Sequence, residues 1–404
     1  MVGEMDPTTA LEDEIRIWVT QHWDPAADLI QWRTLLTESG WGCPSWPQDW
    51  YGRGLPLSAD AAVKKVFGEL GAVGVAAGVS MYLVAPTLLE WGDEEQKRRF
   101  LRPILTGEHK WCQLFSEPGA GSDLAGLNTR AERDGDEWII TGQKVWNSGA
   151  HKADYGILLA RTDPELPKHQ GISYFAIPMQ QEGVEVRPLR QMNKHSSFNE
   201  VFLDGARVPH QNLIAGRGQG WRVALTTLAH ERSAVGTPRP RFPADGGPLV
   251  ERARNEADEY FSTYRWYPQR AGRPKMVATE AQRLGREMES LIRQQTAGIE
   301  ELQRTSRWTN QRARAARVAG KPPGPEGSVA KLNMSVTARA SHGAHTSIAG
   351  AYGMLTGAEG PANGLIAEVL VSTPAQSIAG GTDEIQKNIL GERVLGLPKD
   401  PSNE

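Results

Sequence analysis

The feature that most constrains the fold is a double change of period along the chain. Up to about residue 108 apolar residues recur at helical spacing. From Trp111 to Val208 they fall in short β-branched and aromatic runs between turn residues, and after Gly220 the helical spacing returns. Leu11–Trp23 carries apolar side chains at 11, 15, 18 and 19, which predicts an amphipathic helix. Ala26–Thr37, Ser58–Gly71, Ala76–Trp91 and Gln96–Leu105 predict four more. Asp93, Glu94 and Glu95 open the last of these, where negative charge complements the helix dipole. Trp41–Pro56, punctuated by Trp, Gly and Pro, reads as a structured loop.

In the middle of the chain Asp134-Gly135 predicts a hairpin between Thr129–Arg133 and Trp138–Thr141. Further strands are expected over Tyr155–Thr162, Ile172–Pro178, Val184–Leu189 and Val201–Val208. Thr237–Pro248 and Val318–Gly327, rich in Pro and Gly, read as loops between helices that pack together. The order α, β, α divides the 404 residues into a helical domain (1–110), a β-domain (111–216) and a second helical domain (217–404).

Composition sets limits on partners. With 39% hydrophobic and 23% charged residues the chain has the make-up of a soluble globular protein. A net charge of −3 lacks the basic excess that neutralises a phosphate backbone, which argues against nucleic acid. Two cysteines, Cys43 and Cys112, are too few for a disulfide framework and favour a reducing, cytoplasmic location. Glu4 and Asp6 do not make a signal peptide. Gly71–Leu89 is uncharged for 19 residues, but three glycines, Ser80 and Pro86 fit a buried helix better than a membrane span.

Two polar segments have a composition that packing alone does not require. One is Phe115-Ser116-Glu117-Pro118-Gly119-Ala120-Gly121-Ser122-Asp123, the other Gly142-Gln143-Lys144-Val145-Trp146-Asn147-Ser148-Gly149. Gly119 and Gly121 let the backbone approach a ligand and take up conformations that a Cβ would forbid. Ser116, Ser122 and Ser148 add hydroxyls, so the surface suits a polar, phosphorylated cofactor. The glycine spacing is not GxGxxG, and neither a Walker loop nor a GxSxG elbow occurs. His342 and His345 lack a third ligand, so no metal site is expected.

Together, FSEPGAGSDLAG and ITGQKVWNSGAHKADYG closely resemble the acyl-CoA dehydrogenase flavoproteins. The resemblance implies an α+β fold: an N-terminal helical domain, a central β-domain and a C-terminal four-helix-bundle domain. It implies FAD, with contacts from Gln113, Phe115, Ser116, Gly121, Ser122, Trp146, Ser148, Thr382 and Glu384, the Trp lying against the isoalloxazine.

Removing hydrogen from C2 and C3 of an acyl chain needs a base for the α-proton, a carboxylate lifted toward the acidity of the thioester, and an acceptor for the β-hydride. Most members carry the base near the C-terminus; the corresponding run here is Ile378-Ala379-Gly380-Gly381-Thr382-Asp383-Glu384, with glycine at the glutamate position. Members acting on long or branched chains carry it instead on the first helix after the β-domain, which places it at Glu231. That residue lies three after Leu228 and seven after Ala224, along the edge of an apolar stripe. The resemblance further implies that Ser122, Arg232, Gly380 and Gly381 contact the acyl-CoA. The thioester carbonyl would accept hydrogen bonds from an FAD ribityl hydroxyl and the Gly380 N–H, and electrons would pass to an electron-transfer flavoprotein, as in β-oxidation.

The chain departs from the family in one respect. No Arg-x-x-Phe-Gly segment, which reaches a neighbouring subunit's cofactor, occurs between Ala271 and Arg317, and Arg273, Arg283 and Arg307 receive no role. The later glycine turn reads Ser347-Ile348-Ala349-Gly350-Ala351-Tyr352-Gly353, without the preceding Gln of many relatives. The long Thr237–Pro274 segment and the GPEGSVAKL run at 324–332 look similar to bacterial members built from unlike subunits, one lending cofactor contacts and the other the base, many acting on bulky or steroid-derived thioesters. A homodimer or homotetramer is the alternative assembly. A flavin oxidase or monooxygenase of the same fold, and a non-catalytic partner subunit, are alternative functions.

Overall fold

The computed structural model describes residues 7–234, 239–319 and 324–398. It resolves into two compact units, Met1–Leu189 with Ser196–Thr263, and Arg190–His195 with Tyr264–Glu404.

The first unit opens with α1 (Pro7–His22), α2 (Leu29–Glu38) and α3 (Ser58–Leu70), which bury Ile15, Val19, Trp32, Leu36, Val66 and Phe67 against one another. Ala76–Trp91 departs from the expected single helix. The chain stays irregular through Gly78 (φ 129°), makes one wide turn over Ser80–Val84, and only then enters α4 (Ala85–Trp91). A left-handed glycine with Pro86 nearby interrupts what apolar spacing alone reads as continuous. The acidic start of α5 (Glu94–Thr106) is as expected: Asp93 caps it in a reciprocal capping box with Gln96.

An eight-stranded sheet follows, in the order β6-β7-β3-β2-β4-β5-β8, with β1 (Trp111–Leu114) parallel to β4 (Tyr155–Arg161). β2 (Arg130–Asp134) and β3 (Glu137–Ser148) form the expected hairpin. β5 (Ile172–Pro178) and β6 (Val184–Leu189) match their predicted limits. β3 runs well past Thr141, and β7 (Phe198–Pro209) starts before Val201, because the polar Gly142–Ser148 segment pairs with β7 rather than looping away. β8 (Leu213–Ile214) closes the edge beside β5. One face of the sheet packs on α4 and α5 through Leu88, Phe100, Ile104, Trp111, Leu159 and Tyr174.

α6 (Gly220–Ala234) lies against β5, and a Cβ at Gly220 would come within 2.5 Å of the Ser173 backbone. α7 (Gly247–Ser262) returns to the N-terminal helices, where the buried Arg33 donates to Glu256 at 2.7 Å.

In the second unit α8 (Tyr267–Arg270), α9 (Pro274–Arg283), α10 (Ser290–Val318) and α11 (Glu326–Ala349) precede α12 (Leu365–Ser372), α13 (Pro374–Ile378) and α14 (Asp383–Arg393). Val277, Ala281, Ile292, Ile299, Ala344 and Ile348 form its core. Of the two expected loops, Thr237–Pro248 lies partly outside the described residues and gives way to α7 at Gly247. The other gives way to α11 at Glu326, residues 320–323 being outside the description. Among the described residues no helix is long and apolar enough to cross a membrane.

Candidate functional site

In the first unit the two polar segments lie side by side. The Val145 N–H donates to Ser116 O (2.9 Å), and Asn147 Nδ2 donates to Gln113 O (2.7 Å). A buried ion pair fastens them: Lys144 Nζ donates to Glu117 Oε1 (2.8 Å) and to Phe115 O (3.1 Å). The other contacts of the Glu117 carboxylate are the N–H groups of Asn128 (2.7 Å) and Thr129 (2.9 Å). Burial disfavours the charged carboxylate, but Lys144 and these donors outweigh it and hold Glu117 below the usual range. Burial also draws Lys144 down to about 8, against the pull of Glu117. Both groups are therefore ionised at neutral pH.

Immediately beyond Lys144 the β3–β7 register shifts. Trp146 sits in this bulge with φ 65°, a left-handed conformation rare for a bulky residue, and its indole is 55% exposed with its edge against Phe198. A bulge re-aims a side chain out of the sheet's alternation, and here it turns a large aromatic face outward. The neighbouring Asn147 side chain is buried and held at both ends of its peptide, since Asn199 Nδ2 donates to Asn147 O (2.8 Å). Its Oδ1 has no hydrogen-bond partner among the described residues.

The donor set around this indole fits a flavin. The hydroxyls of Ser116, Ser122 and Ser148 bond to no other described residue, and the strand between them carries the unpartnered Asn147 Oδ1. Gly119 and Gly121 are exposed, and a Cβ on either would meet no atom within 4 Å. One expectation is corrected: neither glycine has a left-handed backbone. The fold itself does not demand glycine there, and what they provide is bare, open main chain. The Phe115 ring is buried edge-on against Tyr174.

Glu231, half-buried, is near the end of α6. The stripe expected from Ala224 and Leu228 is real: Val223, Ala224 and Thr227 are buried, and Thr227 bonds Thr87 and Tyr174 at 3.0 and 3.1 Å. His230, before Glu231, is half-buried with Nε2 unpartnered among the described residues, and burial lowers its pKa despite nearby Glu90. The Arg232 side chain lies outside the described residues.

Gly380, Gly381, Thr382 and Glu384 belong to the second unit. Gly380 (φ 70°) and Gly381 (φ 83°) form a left-handed turn between α13 and α14. Gly380 is exposed, with nothing within 4 Å of a Cβ position. Thr382 caps α14 by accepting from the Ile385 N–H (3.2 Å), and Glu384 is exposed on the first turn. Asp383 is buried between Lys331 Nζ (3.0 Å) and Arg339 Nη1 (2.7 Å). Burial opposes its charge, but hydrogen bonds from Arg339 and Lys331 prevail and hold the carboxyl well below the usual range.

The buried pairs Glu117–Lys144 and Lys331–Asp383 were not assigned from sequence. Their only signal was a charged residue within otherwise small and apolar runs, and a charged side chain is exposed by default.

Three family models match the chain: the acyl-CoA dehydrogenase N-terminal domain at residues 8–108, the middle domain at 112–206 and the C-terminal domain at 277–395. Acyl-CoA dehydrogenase FadE34 of Mycobacterium tuberculosis is 38% identical over 369 residues, covering 91% of this chain and 46% of that protein, so the chain spans about half its length. Acyl-CoA dehydrogenase IpdE1 of the same organism is 34% identical over 377 residues, covering 91% of this chain and 88% of that protein. Among solved structures, a Tcur3481-Tcur3483 steroid ACAD matches with TM-score 0.66 at 26% identity, covering 98% of this chain and 99% of that one. The ChsE4-ChsE5 complex of M. tuberculosis matches in fold, with TM-score 0.58 at 24% identity over 99% and 100% of the two chains.

Proposed function

The chain belongs to the acyl-CoA dehydrogenase family of FAD-binding oxidoreductases, and we propose that it dehydrogenates a bulky, long, branched or steroid-type acyl-CoA to its trans-2-enoyl-CoA. The observation that carries this reading is the outward-turned Trp146 indole, set in a left-handed bulge next to Val145, whose N–H bonds Ser116 O, and two residues before Ser148. FAD, when bound, supplies the acceptor for the β-hydride.

The chain's own residues do the rest. Ser116, Ser122, Ser148, the open main chain at Gly121 and the Gln113 and Phe115 positions hold the cofactor, with Trp146 against its ring system. In the second unit Thr382 and Glu384 are assigned cofactor contacts of their own. Glu231 takes the α-proton, and a positioned base of this kind contributes about 10²- to 10⁴-fold. The exposed Gly380 N–H donates to the thioester carbonyl, stabilising the oxyanion as the α-proton leaves. Gly381, Ser122 and Arg232 contact the substrate.

The bulky substrate class draws on the solved relative described as a steroid ACAD. The two-component names of the solved relatives support assembly with an unlike subunit, and an electron-transfer flavoprotein is the electron acceptor we assign. The test is anaerobic bleaching of the purified flavoprotein by straight, branched and polycyclic acyl-CoA thioesters. Bleaching by a polycyclic or branched thioester, with slow reoxidation in air, is the expected result. No bleaching by any thioester contradicts the function, and rapid oxygen consumption contradicts a dehydrogenase in favour of an oxidase.

A further inference from the structure

The run Gly324-Pro325-Glu326-Gly327-Ser328-Val329-Ala330-Lys331-Leu332 is not accounted for by the reaction itself, yet it delivers one lysine to a decisive place. Lys331 is 8% exposed on α11, and its ammonium spends three donors on three acceptors. It bonds Gln376 O in α13 (2.8 Å), Asp383 Oδ1 at the start of α14 (3.0 Å) and Ser335 Oγ on its own helix (3.2 Å). Ser335 Oγ also donates to Gln376 O (3.1 Å), and Arg339 bonds both Asp383 Oδ2 (2.7 Å) and Ser377 Oγ (2.6 Å). These bonds close both ends of one short turn.

Inside that turn stand the left-handed Gly380 and Gly381. Two adjacent glycines are the most permissive backbone a chain can offer, and a hydrogen-bond donor acts on developing charge only when it is already in place. Among the described residues the turn's main chain is held from α14 by Gln386 Nε2, which donates to Gly380 O at 3.2 Å. A buried ion pair is weak evidence for stability, because desolvation offsets its attraction; its best-attested use is to specify one arrangement. Here the arrangement specified is the spacing between the end of α13 and the start of α14.

We propose that Lys331, with Asp383, is a positioning residue: it holds the Gly380–Gly381 turn so that the Gly380 N–H is pre-aimed at the thioester oxygen. The inference rests on the assignment of Gly380 as the carbonyl donor. It predicts a defect in acidification of the substrate rather than in its capture.

The experiment titrates acetoacetyl-CoA bound to the holoenzyme and reads its enolate absorbance against pH. In the wild type the bound ligand ionises well below its free value. Lys331→Met raises the bound value by about one unit, a tenfold loss of acidification. Affinity at low pH, where the ligand is neutral, and FAD content stay within about twofold. Asp383→Asn, nearly isosteric, shows a smaller rise in the same direction and carries the test if Lys331→Met does not fold. Wild-type titration with an unchanged value in a folded Lys331→Met, or in Asp383→Asn where Lys331→Met fails to fold, overturns the positioning role. Equal loss of affinity at all pH values also overturns it, by reducing Lys331 to a structural prop. No enolate shift even in the wild type overturns the Gly380 assignment itself.

Discussion

Each unit contains a buried lysine–carboxylate pair beside the segment assigned to chemistry, and the two are built differently. Lys144 is wholly buried and pairs with a Glu117 that bonds no other cation but accepts two backbone N–H groups. Asp383 shares its charge between buried Lys331 and an Arg339 that is 55% exposed. The first pair ties the loop after β1 to β3 across 27 residues, while the second ties α11 to the start of α14 across 52. The comparison teaches where each arrangement fails. The sheet pair has no second cation and is breakable by a single deletion, whereas the helical pair has a reserve cation.

Lys144→Met is the harshest way to probe that difference, because it leaves Glu117 charged, buried and unpaired. A loss of about 3–5 kcal/mol in urea unfolding is expected, with weakened FAD retention. The double variant Glu117→Gln/Lys144→Met should recover most of the loss; if it is as unstable as the single variant, the pair is not the cause. Lys331→Met should cost less, about 2 kcal/mol, because Arg339 still pairs with Asp383. A loss equal to that of Lys144→Met would erase the contrast. Thr382→Ala removes the α14 cap as well as an assigned cofactor contact and should cost about 1 kcal/mol in unfolding of the cofactor-free protein.

The smallest effect separates the pairs by pH. Lys144 has a folded value near 8, below its unfolded value of about 10.4, so between these the unfolded chain holds the extra proton. This group then adds to global stability as pH rises, yet its bond to Glu117 weakens. FAD affinity should fall severalfold above about pH 8 without a matching drop in melting temperature. Asp383, whose folded value is also lowered, has the same sign in an acid window: its stabilisation is present above about pH 3.9 and is lost as pH falls toward its lowered value. An FAD affinity flat from pH 7 to 9.5 would remove Lys144 from the cofactor site.

Local pattern made much of the fold legible. Ile172–Pro178 and Val184–Leu189 were readable because β-branched runs end at turn residues, and Ser58–Gly71 because its apolar spacing is regular. The π-type turn at Ser80–Val84 and the bulge at Trp146 were not, since each depends on what a neighbouring segment does. Gly142–Ser148 has loop composition and becomes strand only because β7 offers a ladder. For the candidate site, the two segments and Gly380 were singled out through resemblance. The pairs that secure them were not, because nothing in a sequence says that Lys144 meets Glu117 or that Lys331 meets Asp383.

The central claim is that the proton-abstracting carboxylate sits on α6 and not at the C-terminal glycine turn. Anaerobic stopped-flow reduction of the Glu231→Gln holoenzyme by its best acyl-CoA tests it most directly. The account predicts FAD content and substrate affinity close to wild type, with flavin reduction slowed about 10²- to 10⁴-fold. Reduction at a rate near wild type would contradict it and return the search for the base to another residue.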